Sequence, residues 1–132
     1  MHRIDSEADI AMGLAALAGL DPRLEAVIAL AGNVPLRRVE PGLASLVSII
    51  VAQQVSRASA AAILARLTRL LDPLDHRGIL ACGEAVFREA GLSRAKQASL
   101  LALATAIAEE RLDLYALAGL DADEARLCLT GI

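Results

Sequence analysis

The segment from Leu43 to Leu67, LASLVSIIVAQQVSRASAAAILARL, constrains the fold of this chain more than any other. Two apolar runs with helical spacing meet at an uncharged polar pair, Gln53 and Gln54, which Ser56 follows closely. The first run is apolar on nearly every side, which predicts a central helix. Amides between two buried helices must find hydrogen-bond partners, so this turn is expected to have a role.

Composition favours a single all-α region over residues 1–132. The chain is 56% hydrophobic and rich in alanine and leucine, and its only aromatic residues are Phe87 and Tyr115. Valine and isoleucine never alternate with polar residues, so strands are not indicated. The most apolar run, residues 43–52, is about half the length of a bilayer span. With no signal-peptide pattern at the N-terminus, these features predict a soluble cytoplasmic protein without membrane partners.

Capping residues and prolines predict the helix boundaries in the first third of the chain. Ser6 and Asp9 resemble a capping box, and the helix they open is expected to close near Gly19. Asp21 followed by Pro22 predicts a second helix that begins there. That helix is expected to stop at residues 32–33, and residues 34–42, with two prolines, predict an extended loop.

Similar signals divide the rest of the chain into short-looped helices. Ser56 is expected to cap a fourth helix that ends at Asp72-Pro73, and two short helices are predicted over residues 75–81 and 83–90. Asp113 and Asp121 are expected to cap two further short helices. Before them, Ser93 is expected to cap a long helix with an inner face formed by Ala95, Ala98, Leu101, Leu103 and Ala106.

Neither cysteine nor histidine spacing indicates a metal or cofactor. Cys82 and Cys128 are widely separated within apolar helical patterns, so they are expected to be small buried thiols. His2 and His76 have no partner at ligand spacing. Carboxylate pairs such as Glu109-Glu110 lie in capping or exposed positions, which predicts solvated acids. We therefore predict no metal site and no cofactor.

A second polar signal lies at residues 89–100, EAGLSRAKQASL. Gly91 predicts a helix stop and Ser93 the next cap, which puts Lys96 in the first turn of the following helix. A lysine there opposes the helix dipole, so helix propensity does not explain it. The net charge of −3 argues mildly against nucleic acid, but the basic residues cluster in the middle of the chain while acids crowd both ends.

These two segments, in this order and at this separation, resemble the helix-hairpin-helix base-excision DNA glycosylases, especially the DNA-3-methyladenine glycosylase II branch. In that family a Q-Q-[VI]-S turn faces the gap that a flipped base leaves. The resemblance implies that Gln54 is the wedge in this gap and that Gln53 supports it. It also implies that Ser56, Arg57, Arg94 and Lys96 belong to the DNA-binding surface. Ser56 is alternatively a helix cap and nothing else, and Arg57 a solvated arginine. Arg94 or Lys96 would lie near the DNA backbone or pack against the other lobe, and Lys96 is alternatively a surface residue with no role.

The segment from Leu112 to Ile132 resembles the family's approach to its hairpin. The hairpin motif and the catalytic aspartate of the family would follow beyond Ile132, so no catalytic residue is assigned within the chain. The resemblance implies an orthogonal helical bundle that corresponds to the family's N-terminal lobe and is truncated before the hairpin. Residues 42–129 would form the first helical lobe. Residues 1–33 would pack on the missing C-terminal half, or their apolar surface would be covered by another copy.

The function that this resemblance implies is DNA repair in the bacterial cytoplasm, at the nucleoid. The enzyme would bind damaged double-stranded DNA, flip an alkylated purine of the 3-methyladenine type and hydrolyse its N-glycosidic bond. The 132-residue chain alone is expected to be inactive. The alternative is a non-enzymatic helical module that binds DNA or another protein. A DNA-binding regulator should expose a polar recognition helix, and the fourth helix, with Arg57, Arg66 and Arg69, matches that pattern only weakly.

Overall fold

The computed structural model describes residues 4–132, and within them the chain forms α-helices and no β-strand. The predicted all-α fold is therefore confirmed. The helices in this range are α1 (Glu7–Leu20), α2 (Leu24–Ala31), α3 (Leu43–Ala52), α4 (Arg57–Leu70), α5 (His76–Ala81), α6 (Glu84–Ala90), α7 (Arg94–Ala108), α8 (Leu114–Leu117) and α9 (Ala122–Thr130). None of the helices in the described range is long and apolar enough to cross a membrane.

Side-chain caps begin most of these helices where the sequence predicts them. The hydroxyl of Ser6 accepts from the backbone N–H of Asp9, whose carboxylate accepts from the N–H of Ser6 in return. The hydroxyls of Ser56 and Ser93 accept from the backbone N–H groups of Ser59 and Lys96 and so cap α4 and α7. Asp113 and Asp121 cap α8 and α9. Each cap satisfies a backbone donor that the first helical turn leaves without a partner.

The predicted start of the second helix is wrong by two to three residues. Asp21 is the C-cap of α1, and α2 begins only at Leu24, after a turn in which the N–H of Leu24 donates to the carbonyl of Asp21 at 3.0 Å. The carboxylate of Asp21 accepts from the Arg23 guanidinium at 2.8 Å. This bond holds the pKa of the Asp21 carboxyl below its ordinary value and that of Arg23 above it.

The chain divides into two compact units, Met1–Val39 and Glu40–Ile132. In the first unit, α1 and α2 contact each other, and neither helix has a buried residue. Arg38, at the end of this unit, forms an ion pair with Asp5 at 3.1 Å. The predicted packing of residues 1–33 on a C-terminal lobe is not tested by these contacts and stays a prediction.

The second unit contains the hydrophobic core. Here α3 packs on α4 and α7, α4 packs on α6, and α5 packs on α7. Phe87 of α6, one of the two aromatic residues, is almost fully buried among aliphatic side chains. The main cluster consists of Val47, Val51, Ile63, Leu67, Leu71, Ile79, Phe87, Ala90, Leu92, Leu100 and Ala104. A smaller cluster of Leu103, Ala106 and Leu112 continues it along α3 and α7.

Two predictions about buried faces need correction. Only Val47 and Val51 of α3 are fully buried, and Ile49 on the same helix is 52% exposed, so α3 is not enclosed on every side. On α7 the predicted inner residues Leu103 and Ala106 are buried, but Ala95, Ala98 and Leu101 are exposed. Their places are taken by a face formed by Gln97, Leu100 and Ala104.

The side chain of Gln97 is buried, and its Nε2 donates to the carbonyl of Leu92 at 2.8 Å, which offsets the cost of burying the amide. The cysteines are free, as expected, but only Cys82 is partly buried and Cys128 is exposed. The prediction of a buried thiol is therefore wrong for Cys128. Burial raises the pKa of the Cys82 thiol, which keeps it protonated and unreactive near neutral pH.

The exposed apolar surface of the first unit leads to a testable expectation. Leu20 is 83% exposed and Leu30 is 90% exposed, and Leu17 and Val27 on the same helices are about half exposed. We expect the chain to bind an apolar dye and to self-associate in sedimentation velocity. Replacing both residues (L20E and L30E) should reduce dye binding and shift the population to monomer, because charge opposes burial of this surface.

The matched control is Leu127→Glu on α9, a leucine that is 63% exposed in the second unit. This variant should leave self-association unchanged. A wild-type chain that is monomeric at all concentrations and binds little dye would contradict the expectation.

Candidate functional site

The turn between α3 and α4 contains the two glutamines that the sequence singles out. Helix α3 ends at Ala52, and the backbone N–H of Gln53 donates to the carbonyl of Ile50 at 3.3 Å. Gln54 follows in the left-handed region, at φ 56°. Ser56 then begins α4, with its hydroxyl accepting from the N–H of Ser59 at 3.1 Å. We name residues 53–56 the glutamine turn.

The left-handed backbone conformation of Gln54 is strained for a residue other than glycine. It brings the side chain close to the next carbonyl and costs a non-glycine residue about 1–2 kcal/mol. Glycine or asparagine would be the usual residue at such a position. Strained backbone of this kind occurs often at ligand-binding sites, where the neighbouring structure holds it in place.

Both glutamine side chains are exposed, which corrects the expectation of a buried amide pair. The reason is that only one face of α3 enters the core, so the end of the helix reaches the surface. Within residues 4–132, neither amide makes a hydrogen bond to another part of the protein. The backbone of the turn is held locally, and the side chains face solvent.

The start of α7 lies beside the glutamine turn. A surface hollow of about 310 Å³ is lined by Gln53, Gln54, Val55, Ser93, Ala95, Lys96 and Ser99. The fold thus brings together the two segments that the sequence singles out separately, one before α4 and one at the N-terminus of α7. None of the residues that line this hollow carries a carboxylate.

Lys96 has a partner within the protein. Its Nζ donates to the backbone carbonyl of Val51, in the last turn of α3, at 2.7 Å, and the side chain is half-buried. The last carbonyls of a helix have no partner within the helix and form the negative end of its dipole. The ammonium therefore stabilises the C-terminus of α3.

The other predicted site residues lie at the same two helix starts but outside the lining of this hollow. Ser56 and Arg57 are exposed at the N-terminus of α4. Arg94 is exposed as the first residue of α7 and borders a different hollow, of about 490 Å³, with Cys82, Glu84 and Phe87. The structure thus joins Gln53, Gln54 and Lys96 in one surface feature, and Ser56, Arg57 and Arg94 flank it along the chain.

An apolar hollow beside the turn was not predicted from the sequence. It has a volume of about 290 Å³ and shares Gln53 and Ser99 with the first hollow. The sequence signal for it was the surplus of apolar residues on α3, which was interpreted as complete burial. The other lining residues are Leu46, Ile49, Ile50, Ala102, Leu103, Leu129 and Ile132.

No group of three or more side chains within residues 4–132 could hold a metal ion. His2 lies outside the described residues. The site consists of amides, hydroxyls and cations at the ends of three helices, a composition suited to binding an anionic ligand.

Comparison with known proteins gives one informative match. A scan against protein-family models and a search of curated proteins found nothing that matches. Among solved structures, the chain is similar to a DNA-3-methyladenine glycosidase from Bacillus halodurans, with a TM-score of 0.71 and 32% sequence identity. The match covers 87% of this chain and 54% of the glycosidase.

The chain therefore has a DNA glycosylase-like helical fold. The resemblance to the DNA-3-methyladenine glycosylases that its motifs predict is confirmed by this structural match. The chain spans about half the length of the glycosidase that it matches.

The strain at Gln54 predicts the effect of a glycine there on stability. Gln54→Gly relieves the left-handed strain, while glycine's greater freedom in the unfolded chain offsets part of that gain, which leaves a net stabilisation of about 0.5–1 kcal/mol. Denaturant unfolding measures it. The matched control is Glu110→Gly, because Glu110 has the same φ of 56° after α7 and lies outside the hollow beside the glutamine turn.

Both variants should be stabilised to a similar extent. If Gln54→Gly is less stable than the wild type while Glu110→Gly is more stable, the Gln54 side chain contributes to the stability of the fold. A role in ligand binding would then not be needed to explain a glutamine in this strained conformation.

Proposed function

We propose that this chain is the gap-filling lobe of a monofunctional base-excision DNA glycosylase. The enzyme would flip an alkylated purine of the 3-methyladenine type out of double-stranded DNA and hydrolyse its N-glycosidic bond. The observation that carries this proposal is the exposed, strained glutamine turn in a chain that is 32% identical to a DNA-3-methyladenine glycosidase. We assign the activity to DNA repair in the bacterial cytoplasm.

The chemistry of the turn fits the gap that base flipping creates. A flipped nucleotide leaves a hole in the base stack and an orphaned partner base. A glutamine side chain fills part of that hole with its methylenes, and its amide offers both donors and an acceptor to base edges. In this proposal Gln54, at the tip of the turn, enters the gap, and Gln53 supports it from the C-terminus of α3.

The flanking residues fit a role in holding the DNA backbone. Ser56 and Arg57 lie at the N-terminus of α4, and Arg94 lies at the N-terminus of α7. Helix N-termini favour anions, and arginine binds phosphate oxygens without reading the sequence. Lys96 lines the same hollow as the glutamines, but its ammonium already donates to the carbonyl of Val51, so we do not assign it a phosphate contact. A chain with a net charge of −3 needs such local cations to approach DNA.

The bond-breaking group is assigned to a part of the enzyme outside residues 1–132. No carboxylate lines the hollow beside the glutamine turn, and the sequence contains no counterpart of the family's hairpin motif. A cationic base is commonly bound by stacked aromatic rings, and this chain has only Phe87, which is buried, and the exposed Tyr115. The proposed enzyme therefore needs a second lobe that brings the aspartate and the base pocket.

The first test of this proposal is a base-release assay. The 132-residue chain, incubated with an oligonucleotide duplex that contains a single alkylated purine, should release no base above the spontaneous rate. A full-length glycosylase of this branch serves as the positive control. Base release by the 132-residue chain would show that the catalytic group lies within it and would overturn the assignment to a separate lobe.

The second test measures binding to a gap in the base stack. The chain should bind a duplex with an abasic-site analogue more tightly than the intact duplex. Gln54→Gly should weaken binding to the gapped duplex about 10-fold, which corresponds to about 1.4 kcal/mol of lost contact. The affinity for intact DNA should not change, since the intact duplex has no hole for the side chain to fill.

Glu110→Gly is the matched control, because it changes backbone strain equally without touching the turn, and it should bind both duplexes like the wild type. Sequence-dependent binding with no preference for the gap would instead favour a DNA-binding regulator. Equal loss of affinity in both glycine variants would remove Gln54 from the interface.

A further inference from the structure

The hydrogen bond from Lys96 to Val51 points to a role that differs from direct DNA contact. We infer that Lys96 is a positioning residue, which holds the glutamine turn in its strained conformation by clamping the C-terminus of α3 to the N-terminal turn of α7. The purpose of this clamp rests on the proposed function, but the clamp itself is a property of the free protein.

A lysine in the first turn of α7 is electrostatically unfavourable for that helix, and its bond to the carbonyl of Val51 compensates for this cost. Lys96 lies in the first turn of α7, where the positive end of the helix dipole repels a cation. The ammonium lies instead against the negative end of α3, at 2.7 Å from the carbonyl of Val51. Lys96 is the only lysine of the chain, whose other twelve basic residues are arginines. A compact ammonium on a flexible stem reaches a single carbonyl at close range.

The clamp acts two residues before the glutamine turn. The side chain of Val51 is fully buried in the main core cluster, and its carbonyl is held by Lys96. The last turn of α3 is thus fixed from inside by packing and from outside by a charged hydrogen bond. Gln53 directly follows Ala52, the last residue of α3, so its position depends on this fixed C-terminus of the helix.

Gln54 needs such support, because a left-handed glutamine relaxes to an ordinary conformation when its neighbours permit it. A turn that is held before DNA arrives does not lose conformational freedom on binding, so the clamp increases affinity without touching DNA. Without the clamp, the backbone at Gln54 would sample several conformations, and only a fraction of the molecules would present the side chain toward a gap.

The test compares Lys96→Met and Lys96→Arg with the wild-type chain. In Lys96→Met the methylene stem remains and the donor is lost. The backbone N–H of Gln53 donates to the carbonyl of Ile50. We expect hydrogen exchange at this amide in the free protein to accelerate about 10-fold, since a charged hydrogen bond of this kind corresponds to about that factor. Affinity for the duplex with an abasic-site analogue should fall about 10-fold as well. Lys96→Arg, which keeps a cationic donor, should restore most of both losses.

Arg66→Met is the matched control for a loss of stability alone. The Nε of Arg66 donates to the carbonyl of Ala90, at the end of α6, at 3.0 Å. It is another cationic side chain that holds the C-terminus of a helix in this unit. Its replacement should lower the stability of the fold but leave exchange at Gln53 and gap affinity unchanged. Equal effects of Arg66→Met and Lys96→Met on exchange and affinity would overturn the positioning role.

Salt dependence separates the clamp from a phosphate contact. Each phosphate contact contributes about 0.9 to the slope of log affinity against log salt concentration. Lys96→Met should leave that slope unchanged, whereas Arg57→Met, at a proposed phosphate contact, should lower it by about one. A slope that falls by about one in Lys96→Met would make Lys96 a direct DNA contact and overturn the inference.

The hydrogen-exchange measurement tests the clamp independently of DNA binding. If the wild-type chain shows no preference for the gapped duplex, the proposed function fails, and exchange at Gln53 in the free protein still supports or overturns the clamp. If Lys96→Met does not fold, Lys96→Gln replaces it, because its shorter, neutral amide cannot reproduce the charged bond. Unchanged exchange at Gln53 in that variant would overturn the inference.

Discussion

The packing of α3 against α7 is the contact on which the rest of the second unit depends. Val47 and Val51 from α3 and Leu100 and Ala104 from α7 are all fully buried in one cluster. Burying each of the larger side chains contributes about 1.5–3 kcal/mol, so this contact is strong enough to fix the direction of α3. Because α3 is fixed and ends at Ala52, the residues that follow emerge at the surface beside the first turn of α7. The location of the glutamine turn is thus a consequence of core packing.

Two short polar segments therefore share one surface although α4, α5 and α6 separate them along the chain. Gln53 and Gln54 come from the end of α3, and Ser93 and Lys96 come from the start of α7. The first hollow is lined by both polar and apolar groups and the neighbouring one mainly by apolar groups, and Gln53 borders both. Such an arrangement is consistent with the ligand that we propose, opened duplex DNA, which has a charged backbone and flat, apolar bases.

The sequence predicts local features of this protein well and long-range ones poorly. Ser56 and Ser93 were predicted as caps because capping depends on neighbours two or three residues away. The inner face of α7 was mispredicted because alanine and leucine occur around the whole helix, so no single helical phase stands out. The enclosure of α3 on nearly every side is a wrong prediction for the same reason. The partner of Lys96 lies 45 residues away, and no periodicity indicates such a pair.

The left-handed backbone of Gln54 limits which amino acids could replace it in related chains. Asparagine and glycine adopt this conformation readily, and residues that are not branched at Cβ, such as leucine or methionine, tolerate it at a cost. Valine, isoleucine and threonine carry two heavy atoms on Cβ and crowd the adjoining peptide at positive φ, so the backbone disfavours them however well they fit a ligand. Two separate constraints therefore limit which residues can occupy this position: the backbone conformation of the turn and the contacts that the side chain makes with a ligand.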